Sequence, residues 1–223
     1  MKIKAEGLTR IFRVGPYEIT AVDEASFEVS KPAFTAIIGR SGSGKSTLLN
    51  LIGLNDCPTS GRILFDDADV SLLSGSERRK SRLLRMGFIY QTFNLLPTLN
   101  ALENVELPMA LAGKPQKDQT EKATSLLETV GLGKRVLHRP KQLSIGEMQR
   151  VAIARAMAND PELIIADEPT GELDSRTAKE IIALLLEIGR RGKTVIVATH
   201  DEKLVDLADA VYTIEDGKLR IVS

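Results

Sequence analysis

FTAIIGRSGSGKSTLLNLIGL, residues 34–54, joins a short continuous apolar run, FTAII at 34–38, to a glycine-rich turn. A stretch follows in which Leu48, Leu49 and Ile52 recur at helical spacing. The order reads as buried strand, loop, helix. Within it GRSGSGKS, residues 39–46, matches G-x-x-x-x-G-K-[ST] in the strand-to-helix context that confirms such a match. Chemistry explains the residue types. Glycines let successive backbone N–H groups turn inward around phosphate oxygens, and the helix N-terminus adds positive potential. Lys45 bridges the outer phosphates, and the Ser46 hydroxyl ligates Mg²⁺. A flexible Gly/Ser turn is the plain alternative, and the context weighs against it. The candidate nucleotide contacts are Gly39, Arg40, Ser41, Gly42, Ser43, Gly44, Lys45, Ser46 and Thr47.

Two further apolar runs, LIIA at 163–166 and TVIVA at 194–198, flank a helical pattern with Ala178, Ile181, Ile182, Leu185 and Ile188 on one face. All-apolar strands alternating with helices point to a parallel sheet covered on both faces. The first thirty residues alternate (Ile19, Ala21 and Val22, then Ala25, Phe27, Val29), with turn signals at Gly15-Pro16 and around Lys31-Pro32, and read as antiparallel strands. Asp216-Gly217, between YTIE and KLRIV, reads as a hairpin turn. Residues from about 70 to 160 read as mostly helical. Asp118 and Glu121 are placed to cap a helix bearing Ala123, Leu126, Leu127 and Val130 that stops at Gly131. The expected fold is α/β: a P-loop parallel-sheet core from residues 1–91 and 161–223, an N-terminal antiparallel subdomain, and a helical subdomain inserted at 92–160.

Composition narrows the class. The 223 residues are 43% hydrophobic and 27% charged, as in a folded globular chain. Thirty basic residues balance thirty acidic ones, so no overall field favours nucleic acid, and none is expected as a partner. The lone Cys57 and only two histidines, His138 and His200, cannot assemble a Cys/His metal cluster. No stretch approaches the ~18 apolar residues of a membrane-spanning helix, and MKIKAEGLTR lacks the apolar run of a signal peptide. Membrane contact is therefore expected only through a partner.

Asp167 and Glu168 follow the LIIA strand directly. An aspartate at the carboxyl end of such a strand lies where ligands bind in an open α/β sheet and can hold Mg²⁺ through water. Glu168 then points toward the γ-phosphate. A solvated strand end is the alternative, yet adjacent acids beside a buried strand are costly without a compensating cation.

A P-loop alone leaves kinases, GTPases and many ATPases open. Four more motifs follow in order: Gln91, LSIGE at 143–147, DEPTGELD at 167–174, and His200 in ATHDE. With them the chain resembles an ATP-binding cassette ATPase from end to end. Through RMGFIYQTFNLLPTLNALENVELP it resembles the lipoprotein-releasing and macrolide-export branch of those transporters. The resemblance implies ATP and Mg²⁺ as cofactors. It implies that Phe12 stacks on adenine, that Gln91 touches Mg²⁺ and the attacking water, and that Glu168 is the catalytic base. It further implies that His200 contacts the γ-phosphate and that Asp174 couples two nucleotide sites. Catalysis then rests on Glu168, His200, Gln91 and Lys45, and the metal on Ser46, Gln91 and Asp167. For Phe12 the alternative is plain core packing; for His200 it is a buried, satisfied histidine.

The signature LSIGE has two compatible readings. Ser144 and Glu147 satisfy the S-x-x-E capping box of an ordinary helix start. In the family the same helix start, here Ser144, Gly146 and Glu147, binds the γ-phosphate held by the opposite subunit, so ATP joins two copies. Ile145 stands where the family has glycine, bringing a β-branched side chain toward a phosphate and tolerating positive φ poorly. Three functions are in view: an energy-coupling subunit for separate transmembrane permease subunits, held at the inner membrane face through them; an ATP-driven switch on nucleic acid or ribosomes; and a regulatory module that hardly turns ATP over. The single P-loop and the 53 positions from Gln91 to Ser144 (144 − 91) favour the first. The resemblance places Leu95, Leu96, Leu99 and Leu102 at the groove that receives the membrane subunit; several of them are expected to be more exposed than core leucines, and some to pack the helical subdomain internally.

Overall fold

The FTAII run is uncharged and, apart from Thr35, apolar because it lies in the middle of a sheet. In the computed structural model, which describes residues 1–30 and 33–222, it forms β3 (Phe34–Ile38). β3 pairs in parallel with β8 (Thr194–Ala198) on one side and β9 (Ala210–Glu215) on the other. The turn expected around Lys31-Pro32 lies outside the described residues. With β6 (Met86–Tyr90), β7 (Leu163–Asp167) and β10 (Lys218–Ile221) the sheet order is β10-β9-β3-β8-β7-β6. Only the edge strand β10 runs antiparallel, joined to β9 through Asp216-Gly217. Both turn residues have positive φ, 48° and 78°, as a tight two-residue hairpin requires.

Side-chain alternation sends neighbours on one strand into opposite cores. Leu163 and Ile165 of β7 join one buried cluster, Ile164 and Ala166 the other; Ile196 and Val197 of β8 divide the same way. The first cluster is closed by α1 (Lys45–Ile52) and by a second sheet. That sheet has the order β2-β1-β4-β5, from β1 (Ile3–Val14), β2 (Tyr17–Val29), β4 (Ser60–Phe65) and β5 (Ala68–Asp69), and is antiparallel as its alternation suggests. The second is closed by α3 (Ala101–Leu111), α4 (Gln116–Thr129), α5 (Ile145–Ala156) and α6 (Ser175–Arg190). On α6 the buried positions are Ala178, Ile181, Ile182, Leu185 and Ile188, the stripe read from the sequence.

Two local expectations change. β6 falls inside the stretch read as mostly helical; MGFIY follows α2 (Gly75–Arg85) without a breaker, so nothing local separates them. Pairing with β7 sets the strand between the two cores, where Met86 joins the first cluster, Ile89 the second, and Gly87 lies against Ala156. Asp118 and Glu121 do not cap α4. The helix starts at Gln116 after Pro115, whose φ of −58° already suits a helix start, and it has no side-chain cap; Asp118 sits in the first turn, where a carboxylate favours the helix dipole. The stop holds: Gly131 has φ 80°.

Candidate nucleotide site

Strand order brings four separate segments together. β6, β7, β8 and β3 are neighbours and parallel, so Gln91, Asp167-Glu168, Thr199-His200 and Gly39 emerge in a row at their carboxyl ends, where open α/β sheets bind ligands. A cleft of about 590 Å³ there is lined by residues 39–42 and 44–47 of the loop, Gln91, Asp167, Glu168, His200 and Ala21, with Ser43 outside the lining.

The loop wraps an opening. Gly42 and Gly44 have φ 79° and 111°, and any side chain at Gly44 would run into the Ala21 carbonyl, so glycine is required twice over. Gly44 gives α1 no side-chain cap, which leaves the first helical N–H groups free for an anion. Ser43 Oγ is buried without a hydrogen-bond partner. Lys45 is only 9% exposed; its Nζ donates to the carbonyls of Gly39 (2.8 Å) and Arg40 (3.2 Å) and lies 3.7 Å from Glu168 Oε1.

Asp167 accepts a hydrogen bond from Ser46. Burial pushes its carboxyl above the ordinary range and the neighbouring Glu168 charge adds to this, while the Ser46 bond and the Lys45 charge pull the other way. A hydroxyl, a carboxylate and an amide are hard oxygen donors that fit Mg²⁺. Among the described residues no group of three or more His, Cys, Asp or Glu forms a metal cage, so a cation here completes its shell with water and phosphate, the usual habit of Mg²⁺. Glu168 holds a left-handed backbone, φ 47°, its N–H donating to the Ala198 carbonyl at 2.9 Å. Its Oε2 is buried and lacks an aligned hydrogen bond, though His200 Nδ1 stands 2.8 Å away. The reading of His200 as a buried core histidine is corrected: its side chain is 73% exposed. Gln91 Nε2 donates to Glu172 Oε1 at 2.9 Å.

Several expected site residues stand outside this cleft. Phe12 does not line it; its ring is partly buried and covered at 4.5 Å by the Arg10 guanidinium. Ser144, Gly146 and Glu147 begin α5 instead. Ser144 Oγ accepts the Glu147 N–H and Glu147 Oε2 accepts the Ser144 N–H, the full capping box that the sequence predicts. Ile145 is the first residue of that helix, is 49% exposed and is not among the positive-φ residues, so the concern over its backbone is corrected to one of bulk alone. Asp174 caps α6, accepting from the N–H groups of Arg176 and Thr177 and from Thr177 Oγ1.

The leucine expectation holds for exposure: none of the four is buried as the core leucines are, Leu96 being 43% exposed and Leu95, Leu99 and Leu102 half-buried, with Leu95 and Leu102 also packed against the second core. A groove of about 790 Å³ is lined by Leu83, Leu107, Pro108 and Leu111, with Arg79, Lys80, Arg82 and Arg155 and no Asp or Glu.

Contacts across long sequence separations escaped the motif reading. Ala21 contributes its backbone to the cleft and carries no sequence signal. Thr177 lies against Gly146, where any side chain would strike its Cγ2. Glu172, inside DEPTGELD, holds Gln91.

A family model described as ABC transporter matches residues 22–171. An uncharacterized ABC transporter ATP-binding protein of Thermotoga maritima is 48% identical over 94% of this chain and 90% of its own length. Macrolide export ATP-binding/permease proteins MacB of Vibrio parahaemolyticus and Hyphomonas neptunium are 44% and 46% identical over 97% of this chain, which spans only about a third of their length (33% and 34%). A dimeric ATP-binding cassette solved in a post-hydrolysis state with ADP and Pi superposes with a TM-score of 0.92 at 38% identity, covering 99% of this chain and 98% of that one.

Proposed function

This chain belongs to the ABC transporter family and is an ATP-binding ATPase of it, and from that premise we propose that two copies close head to tail on ATP and Mg²⁺ to drive separate permease subunits. The observation that carries the proposal is the split of the phosphate-binding elements. Lys45, Ser46, Asp167, Glu168, Gln91 and His200 share one cleft, whereas the α5 start lies outside it and needs a second copy to meet a phosphate. Residues 92–160 hold no β-strand, which supports treating them as a helical subdomain that carries α5 to the partner.

In the proposed mechanism the uncapped start of α1 and Lys45 hold the phosphates, and Lys45 exchanges its loop carbonyls for phosphate oxygens. Ser46, Asp167 and Gln91 hold Mg²⁺, which supplies charge neutralisation on the phosphates when bound. Glu168 takes the proton of the attacking water at Oε2, the atom left without an aligned bond, and His200 beside it steadies the γ-phosphate. Asp174, capping α6 next to Gly146, links the sites of the two copies, and Phe12 reaches adenine once Arg10 swings off its face.

The basic, apolar groove beside α3 is the proposed docking surface for a permease helix bearing apolar anchors and rim carboxylates. The likeness to macrolide export ATP-binding/permease proteins supports macrolide-type export as the coupled task, and the motif resemblance extends the reading to lipoprotein release at the inner membrane face. No helix among the described residues is long and apolar enough to cross a membrane. No nucleic-acid partner is proposed, since acidic and basic residues balance. Purified chain should hydrolyse ATP with Mg²⁺ and stop with EDTA, and reconstitution with the permease should raise turnover. Unchanged turnover with permease present would favour a regulatory module, a reading that the bulk of Ile145 keeps in view.

A further inference from the structure

Glu168 is held in a backbone conformation that a non-glycine residue keeps only when its surroundings over-determine it. Three elements do so. The Glu168 N–H donates to Ala198 O of β8, Thr170 Oγ1 donates to Asp201 Oδ2 at 3.3 Å, and Gln149 Nε2 donates to the Pro169 carbonyl at 2.7 Å. The third differs from the other two. Gln149 comes from α5, is fully buried, and reaches across 20 positions of sequence to the residue next to Glu168. A proline carbonyl only accepts, so the amide orientation is fixed and Oε1 must face away; it is buried with no partner.

Stability does not account for this residue. The net gain from its one hydrogen bond is no larger than the cost of its own orphaned Oε1, and an apolar side chain of similar length would remove that orphan while leaving the buried Pro169 carbonyl without its donor, so the two offset. Nor does Gln149 line the nucleotide cleft or the basic groove. Its bond joins two places: the first turns of α5, whose start is Ser144, and the turn that aims Glu168.

We propose that Gln149 is a positioning residue for Glu168, tying α5 to the Glu168-Pro169 turn so that seating α5 on a second copy's phosphate and setting this copy's own Glu168 are one event. The proposal rests on the reading that Glu168 is the base and that α5 meets the opposing ATP. It makes each copy's hydrolytic readiness depend on its contact with the nucleotide of the other.

The test compares wild type, Gln149→Met and Glu168→Gln for kcat, KM for ATP, the Hill coefficient and Tm. Gln149→Met is expected to lower kcat by about 10- to 100-fold, the cost of a misplaced catalytic group. KM should stay within about twofold, the Hill coefficient should fall toward one, and Tm should stay close to wild type, since the variant loses one orphaned acceptor, Oε1, and gains another, the Pro169 carbonyl. A kcat within about twofold of wild type, or a loss of kcat that only follows a loss of folded protein, overturns the proposal. Should Gln149→Met fail to fold, amide exchange in Glu168→Gln decides. Protection of the Gly171 N–H, which donates to Glu168 O, is expected to rise on addition of ATP, and unchanged protection overturns the proposal. If wild type hydrolyses no ATP, or Glu168→Gln hydrolyses as fast as wild type, the proposed function itself fails, a different outcome from an indifferent Gln149.

Discussion

Two helix starts, those of α1 and α5, are assigned to the same phosphate chemistry and are built in opposite ways. α1 begins at Gly44 with no side-chain cap, so its N–H groups are open inside a formed cleft. α5 begins at Ser144 with a complete capping box, and Arg135 Nε stands 3.4 Å from Glu147 Oε1. An uncapped start is unstable without an anion and suits a resident ligand; a capped start is stable alone and suits a surface that meets phosphate only on docking. Under the proposed function this difference makes α1 the site of affinity and α5 the site of assembly.

The largest expected effect removes chemistry from the α1 side and leaves both helix starts intact. Glu168→Gln should cut kcat by ~10²–10⁴ while ATP binding persists, checked by phosphate release and nucleotide titration. Lys45→Ala should weaken ATP binding by about 10- to 100-fold, the worth of a charge-assisted hydrogen bond, measured by calorimetry. On the α5 side Gly146→Ala should cost ~1–3 kcal/mol by driving a methyl into Thr177 Cγ2, and Thr177→Ser should restore stability and ATP-dependent dimerisation together. Ile145→Gly should tighten that dimerisation by about 2- to 5-fold, the equivalent of ~0.5–1 kcal/mol, through smaller bulk alone.

The smallest effect separates the two starts by pH. Asp167 has a raised folded pKa, so between the ordinary carboxylate value and that raised value the native state binds more protons than the unfolded one, and stability falls as pH rises. Asp167→Asn should therefore raise the Tm of the nucleotide-free chain at pH 7 by about 2–4 °C per ~1 kcal/mol relieved, and flatten its pH dependence. Glu147 behaves oppositely. The Ser144 N–H, its main partner, lowers its pKa, so its contribution is present above the ordinary range and is lost as pH falls through the lowered value. Equal pH slopes for Asp167→Asn and Glu147→Gln would erase the contrast.

What the sequence showed and what it hid follow the same division. The 39–46 loop is a local device, its glycines and lysine adjacent in the chain, and both its motif and its strand-to-helix setting were legible; so was the Ser144–Glu147 box, three residues across. The Asp216-Gly217 hairpin was legible because two positive-φ residues admit few side chains. β6 was not, since MGFIY becomes a strand only by pairing with β7. The partial exposure of Leu95 to Leu102 was legible, but that Leu95 and Leu102 also pack against the second core was not, since no periodicity records which face another element covers. Gln149 on Pro169 and Thr177 on Gly146 lie 20 and 31 positions away (169 − 149 and 177 − 146), beyond any local pattern.

The central claim is that α1 of one copy and α5 of another hold one ATP between them. Analytical ultracentrifugation of Glu168→Gln, with and without saturating ATP, tests it most directly, with Ser144→Arg added as a second substitution to block the α5 start. The account predicts a monomer without ATP, a dimer with it, and a monomer again in the double variant although ATP still binds. A Glu168→Gln protein that binds ATP and stays monomeric, or a double variant that still dimerises, would contradict it.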